Sequence, residues 1–416
     1  MPEPAGPPLA ATPETPRASL PTPGPAGRPL RVIWFGHGDE ARGDGLSTYT
    51  RDLVAGLRGR GVEMLLVTSS SDGRPAQASA DRVVLGGGGA GPLTVSAPGS
   101  MRRVRALLRD FAPDLVHVSW SFSSLDGRIC EAAHAAGAAT VATFHLPYAR
   151  PGSARARLLA ALYRYHRRAL RHVDRLIALS DTQAALLRRA GVTGADITVV
   201  ANGVDTERIT PGPSALRSRH HDAFLVVYLG RLDPEKRVAD LVEAVVRQGW
   251  ADPHRLLIAG TGSQERRLKR RARGSDTVHL LGRLATFEQR LELLRAADVV
   301  VLPSTAEGLA LSMLEAMAAG CAVIATDAGD DGRALGDAGL VIPVFPLEPH
   351  LSLALGRLHS DPGLCGRLGA AARRRCVERY SLRRVLDEVS AVHALALAAR
   401  APSQPVRHRS GARPRP

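Results

Sequence analysis

Short apolar runs and helical segments alternate along this 416-residue chain, pause once, and alternate again. Leu30 to Phe35 reads as a first buried strand, followed by Val62 to Thr68 and Arg82 to Leu85. Helix and strand then trade places through Met101 to Arg109, Leu115 to Val118, Gly127 to Ala135, Thr140 to Phe144, Ala154 to His172, Leu176 to Leu179, Asp181 to Ala190 and Ile197 to Val200. Repeats of this kind make parallel sheets covered by helices on both faces. The pattern stops at Asn202-Gly203, and residues 209–222 read as a linker. A second set resumes at Phe224 to Leu229 and continues through Leu256 to Ala259, Val278 to Leu281, Val299 to Leu302, Ala322 to Ala325 and Leu340 to Val344. The expected fold is α/β, with two facing Rossmann-like, doubly wound parallel-sheet domains at 30–208 and 223–380. Residues 381–400 are expected to form a helix that crosses back to the first domain. In open α/β sheets ligands bind beyond the carboxyl ends of the strands, so the cleft between the domains is the expected site.

The ends and the composition narrow the class. Residues 1–29 are Pro-rich without the apolar core of a signal peptide, and 401–416 are polar and Pro/Arg-rich; both are expected to be disordered. No stretch is long and apolar enough to span a bilayer. Cys130, Cys321, Cys365 and Cys376 are scattered, which argues against a structural zinc site and suits a reducing compartment, so a cytoplasmic protein is expected. The net charge of +15 is almost all arginine, because Lys236 and Lys269 are the only lysines. Arg150 to Arg175 gathers eight arginines against the single acid Asp174. Its apolar stripe, Leu158, Leu162, Tyr165, Ala169 and Val173, makes a basic amphipathic helix that either packs on its own domain or meets an anionic membrane or phosphorylated acceptor, at the inner face of the membrane in the second case. With 4% aromatic residues and no recognition-helix motif, nucleic acid is not an expected partner.

Chemistry is expected at strand ends. Between the strands Val299 to Leu302 and Ala322 to Ala325 lies a helix with almost no polar face, yet Glu315 sits within it and Glu307 in the loop before it. A carboxylate among apolar side chains needs a partner, so a ligand is expected there. After Phe224 to Leu229 come Arg231 and Lys236, cations where the following helix N-terminus would sooner attract acids; anion binding explains them. Gly260 opens the turn Gly260-Thr261-Gly262-Ser263, whose N–H groups could face phosphate. His145 follows a strand of the first domain. The loop after Phe35, with Gly36, Gly38, Gly43 and Gly45, imitates a dinucleotide fingerprint, but the helix carrying Leu46, Tyr49, Leu53 and Leu57 starts too late for one. No Asp-x-Asp is present to hold a divalent metal on a diphosphate, and no cofactor is expected.

In order along Leu30 to about Ala399, the segments PDLVHV, VATFH, DRLIALSDTQAALLRRAGV, ITVVANGVD, YLGRLDPEKRVADLVEAV, LLIAGTGSQERRL, VHLLGRL and ADVVVLPSTAEGLALSMLEAMAAGCAVIAT resemble those of the retaining glycosyltransferases of family 4, with the GT-B fold. The resemblance implies a hexose-type transfer from a UDP- or GDP-linked donor to a hydroxyl of a lipid, polysaccharide or small molecule, without metal. Glu307 and Glu315 match the ends of the family's E-x7-E motif: Glu307 would touch the donor sugar and Glu315 the ribose. Arg231 and Lys236 would stabilise the leaving diphosphate. The N–H groups of Leu309, Ala310 and Leu311 would lie near sugar and phosphate, His145 near the transferred sugar, Gly45 against the diphosphate, and Arg283 and Leu284 near the base. Two departures stand out: Ala310 where the family usually has glycine, and Ala328-Gly329-Asp330-Asp331-Gly332-Arg333 where it usually reads G-G-x-x-E. A nucleotide-sugar epimerase, a phosphorylase of the same fold and a non-catalytic anion- or nucleic-acid-binding protein are the alternative readings.

Overall fold

The computed structural model describes residues 27–36, 45–69, 79, 81–88, 95–121, 123–145, 157, 167–192 and 196–400. Most of the basic segment Arg150 to Arg175, most of the expected leader, the whole expected tail, and Gly38 and Gly43 lie outside them.

The first domain runs β1 (Arg31–Phe35), α1 (Gly45–Gly59), β2 (Glu63–Ser69), β3 (Arg82–Leu85), α2 (Ser100–Phe111), β4 (Leu115–Trp120), α3 (Asp126–Ala135), β5 (Ala139–Phe144), β6 (Arg175–Ala178), α4 (Asp181–Arg189) and β7 (Asp196–Val199). Its seven strands pair in parallel in the order β3-β2-β1-β4-β5-β6-β7. Every residue of β4 and β5 is buried, as expected for strands with a layer on each face. The linker is not wholly irregular: Ser214 caps a short helix, α5 (Ala215–Arg219), by accepting from Arg217 N–H at 3.0 Å.

The second domain runs β8 (Phe224–Leu229), α6 (Val238–Arg247), β9 (His254–Ala259), α7 (Glu265–Ala272), β10 (Val278–Gly282), α8 (Phe287–Ala296), β11 (Val299–Leu302), α9 (Leu311–Ala319), β12 (Ala322–Thr326), α10 (Asp331–Leu335), β13 (Leu340–Ile342), α11 (Leu347–Ser360) and α12 (Pro362–Tyr380). Its six parallel strands are ordered β10-β9-β8-β11-β12-β13. Helix α9 is buried on nearly all sides, with Met313, Leu314, Ala316, Met317 and Ala318 inaccessible to solvent. Full burial stabilises each of the larger side chains by about 2 kcal/mol relative to exposure. Gly320 ends the helix in the left-handed conformation, φ 79°.

Two chain crossings join the domains side by side. Val204 N–H donates to Tyr380 O at 2.9 Å, and Leu382 N–H to Val204 O at 2.8 Å. The last helix, α13 (Leu382–Arg400), then lies on the first domain's sheet. Its Val385, Val389, Val392 and Ala396 share a core with Val32, Trp34, Leu53 and Val141. At its end Arg400 pairs with Asp174 at 3.1 Å. Among the described residues no helix is long and apolar enough to cross a membrane.

Candidate functional site between the two sheets

The strand order of the second sheet reverses direction between β8 and β11, and the two loops leaving those strands meet beyond their carboxyl ends. Thr305 N–H donates to Glu235 O at 2.8 Å, fastening one loop to the other. This places Lys236 against Glu307: the ammonium donates to Glu307 Oε1, which also accepts from Ser304 Oγ at 2.7 Å. Both side chains of the ion pair are largely buried. Lysine and glutamate come from positions 71 residues apart, so the switch point alone explains their meeting.

Arg231 stands at the same strand end but nearer solvent, its side chain 55% exposed. It pairs with Asp233 and, at 3.0 Å, with Glu235. Asp233 in turn accepts from Ser263 N–H and Oγ, at 3.1 and 2.9 Å, joining the Arg231 loop to the turn after β9. That turn needs its glycine for a backbone reason. Gly260 has φ 145°, and a Cβ there would lie 1.8 Å from Gly230 O. Arg283 and Leu284 follow β10 in the same row of strand ends; Arg283 is exposed and Leu284 packs against the domain core.

Glu315 is 8% exposed within α9, and Arg290 of α8 supplies the counter-charge at 3.3 Å. Burial pushes the Glu315 carboxyl above its usual range, while Arg290 opposes the shift. Arg51 and Asp52 of α1 also act on it, so this acid faces the first domain. The sequence signals the stranded acid but carries no sign of Arg290, whose role arises only when α8 packs beside α9.

The loop into α9 is held from two sides. Leu309 O accepts from Asn202 Nδ2 at 2.8 Å, and Ala310 N–H donates to Asp331 Oδ1 at 2.8 Å. Of the three backbone N–H groups expected to line the ligand, the Ala310 one is therefore taken by a side chain of the protein. Neither Asn202 nor Asp331 is among the sequence-derived site residues. Asp331 lies in the Asp330-Asp331 departure, the one hint available.

Across the cleft, Gly45 begins α1 so close to α9 that a Cβ on it would meet Leu311 Cδ1 at 3.5 Å, an ordinary contact. His145, just past β5, donates its backbone N–H to Trp120 O at 3.0 Å and meets the Tyr49 ring edge-on at 4.8 Å. Thr182 Oγ1 of α4 donates to Asp330 Oδ1 of the second domain at 2.9 Å. Of the sequence-derived site residues, Lys236 and Glu307 are in direct contact and Gly45 approaches Leu311 across the domains. Among the described residues no group of three His, Cys, Asp or Glu side chains could hold a metal ion.

Two family models match the chain, "Glycosyltransferase Family 4" over residues 43–208 and "Glycosyl transferases group 1" over residues 223–361. The D-inositol 3-phosphate glycosyltransferase of Streptomyces bingchenggensis is 33% identical over 219 residues, 48% of each chain. The phosphatidyl-myo-inositol mannosyltransferase of Mycolicibacterium smegmatis is 27% identical over 367 residues, 84% of this chain and 89% of that one. The match spans about half the length of several curated relatives, the first of these included. Among solved structures, Anabaena Alr3699/HepE in complex with UDP-glucose superposes with a TM-score of 0.70 at 16% identity, covering 88% of this chain and 99% of that one. Its likeness shows the fold, GT-B. With one model on each domain, matched in the order the two sheets follow, the chain belongs to the family 4, group 1 glycosyltransferases.

Proposed function

We propose that the protein transfers a hexose-type sugar from a UDP- or GDP-linked donor to an acceptor hydroxyl, with retention at the anomeric carbon and without a metal. The observation that carries this reading is the buried Lys236–Glu307 pair at the switch point, with the more exposed Arg231 at the same strand end. A departing nucleotide diphosphate gathers negative charge, and preorganised cations lower the barrier by meeting charge where it develops. Lys236 and Arg231 fill that role. Each is held by carboxylates in the structure, so the donor's phosphates must exchange with those carboxylates for the cations. Glu307, released from Lys236, accepts from a hydroxyl of the transferred sugar, and Glu315 from the ribose. HepE was solved with UDP-glucose, which supports a nucleotide-sugar donor. Two of the relatives are named for an inositol phosphate and a phosphatidylinositol, which supports a hydroxyl acceptor of the polyol class. The reading places the protein in the cytoplasm.

The test is a screen of UDP- and GDP-sugars for slow hydrolysis without acceptor, with the anomer of the released sugar read by NMR before it equilibrates. Release of the nucleotide together with the sugar in its donor configuration is the expected result. An epimerised nucleotide sugar with no release would replace the transferase by an epimerase. No turnover and no binding of any donor would overturn the reading.

A further inference from the structure

Lys236 is bracketed by two backbone fixings of different kinds. On its N-terminal side Glu235 O accepts from both the N–H and the Oγ1 of Thr305, at 2.8 and 3.2 Å, which ties the chain to the β11–α9 loop. On its C-terminal side stands Arg237, with φ 52° and ψ 29°. Among the described residues Arg237 and Ala112 are the two non-glycine residues with positive φ. Ala112 closes α2, where a left-handed residue is ordinary. Arg237 closes the single turn Pro234–Lys236 and also opens α6, a position that is ordinarily extended, as Thr286 is before α8 with φ −116° and ψ 160°. A long side chain on left-handed backbone is strained and persists only where its surroundings hold it.

Two groups hold it. The guanidinium grips Asp240 of α6 by two hydrogen bonds, Nε to Oδ2 at 2.6 Å and Nη2 to Oδ1 at 2.7 Å, and Asp240 N–H donates back to Arg237 O at 3.0 Å. The guanidinium carbon also lies 5.6 Å from the centre of the Phe345 ring, beyond β13. A partly exposed ion pair three residues apart adds little to stability by itself. What the planar fork adds is direction. It fixes the angle at which the turn carrying Lys236 enters α6, and α6 is anchored by Val238, Leu241 and Val242 in the domain core.

Resting on the donor-site reading above, we propose that Arg237 is a positioning residue for Lys236: its left-handed backbone, locked by Asp240, aims the ammonium into the site, and it acts on the donor only through that lysine. Lys236 must pass from Glu307 to an incoming diphosphate. Its side chain therefore moves, and the affinity gained depends on the backbone beneath it staying in place. A glycine at 237 would adopt the same φ without strain but would leave that junction free to swing. Arginine accepts the strain and supplies the lock. Strain kept next to the reacting cation, with its own clamp, is the pattern expected where backbone geometry serves the site.

The experiment is a cycle of variants of the full chain, R237G, D240A and K236A, titrated with UDP and with GDP and melted in parallel. R237G removes the strain together with the lock, so it is expected to melt close to wild type while binding whichever nucleotide the wild type takes roughly tenfold more weakly. D240A removes the lock from the other side and should weaken binding by a similar factor, and the two changes together should do no worse than either alone. The decisive comparison is with K236A. Once the ammonium is gone, R237G and D240A should change nucleotide affinity no further, whereas residues that merely hold the domain together would add their loss in full. Wild-type affinity in either R237G or D240A, or full additivity with K236A, would overturn the proposal and leave the donor-site reading intact. If R237G does not fold, D240A carries the same comparison. K236A binding as tightly as wild type would overturn the phosphate role of Lys236 and this proposal with it. Absence of binding of either nucleotide to wild type would overturn the donor-site reading as a whole.

Discussion

At the residue scale, the buried Lys236–Glu307 pair bears on stability and, in the proposed reaction, on chemistry, and substitutions separate the two. Removing one partner of a buried ion pair leaves an uncompensated charge and typically costs 3–5 kcal/mol. Lys236→Ala leaves the largely buried Glu307 without its partner ammonium. It is expected to lower stability by roughly 3 kcal/mol and to weaken UDP binding. Denaturant unfolding and a UDP titration check this; unchanged UDP affinity would remove Lys236 from the phosphate site. Glu307→Gln differs, because the amide still accepts from Ser304 Oγ and leaves only the ammonium short of its counter-charge. Turnover is expected to fall roughly 100-fold to 1,000-fold, the usual effect of losing one electrostatic contact to the reacting centre, while UDP affinity stays near wild type. A turnover close to wild type would end the role assigned to Glu307.

At the element scale, the glycines of the second domain divide into those that let two backbones touch and those that merely weaken a helix. Gly260 is of the first kind, since its φ of 145° and the 1.8 Å approach to Gly230 O leave no room for a side chain. Gly260→Ala is expected to destabilise by at least about 3 kcal/mol, or to prevent folding, because backbone must move to relieve the clash. Gly366 is of the second kind: it lies inside α12 with nothing within 4 Å of where a Cβ would stand. Gly366→Ala should stabilise by about 1 kcal/mol, and urea unfolding of the two variants side by side distinguishes the classes. The elements themselves were legible because buried parallel strands are continuous apolar runs, as in Val299–Leu302, and because turns and caps punctuate them. The strand ends were equally legible, which is why Arg231, Lys236, Glu307 and His145 stood out as candidates. What the chain does not show locally is pairing across distance. Arg290 on Glu315, Asn202 on Leu309 O and Asp331 on Ala310 N–H depend on how α8, the crossing segment and the β12 loop pack, and no periodicity encodes that.

At the scale of the whole molecule, α13 returns from the second domain to the first and is locked there by a polar chain inside an apolar core. His117 Nδ1 lies 2.9 Å from His393 Nε2, His117 Nε2 lies 2.7 Å from Thr143 Oγ1, and Trp34 stacks on His117 at 3.7 Å. Both histidines are buried, and two ring nitrogens at that separation accommodate one hydrogen between them, so the rings cannot both be charged without setting hydrogen against hydrogen. Burial holds His393 down to about 4, and His117 is lowered by burial first and by His393 second. The unfolded chain takes up protons on these rings near pH 6.5 while the folded protein does not, so it binds more protons and stability falls as pH drops from about 6.5 toward 4. For His393 alone the full effect is on the order of 3 kcal/mol. The loss concentrates where α13 meets β4 and β5, and the helix that bridges the domains should loosen before either sheet does. Hydrogen exchange at pH 7 and pH 5 should show α13 amides losing protection ahead of those in β8 and β11. In His393→Gln, which keeps a hydrogen-bonding group but does not titrate, the fall in melting temperature between pH 6.5 and 4.5 should shrink. If the variant loses stability over that range as steeply as the wild type, the histidine pair is not what makes the bridge between the domains sensitive to acid.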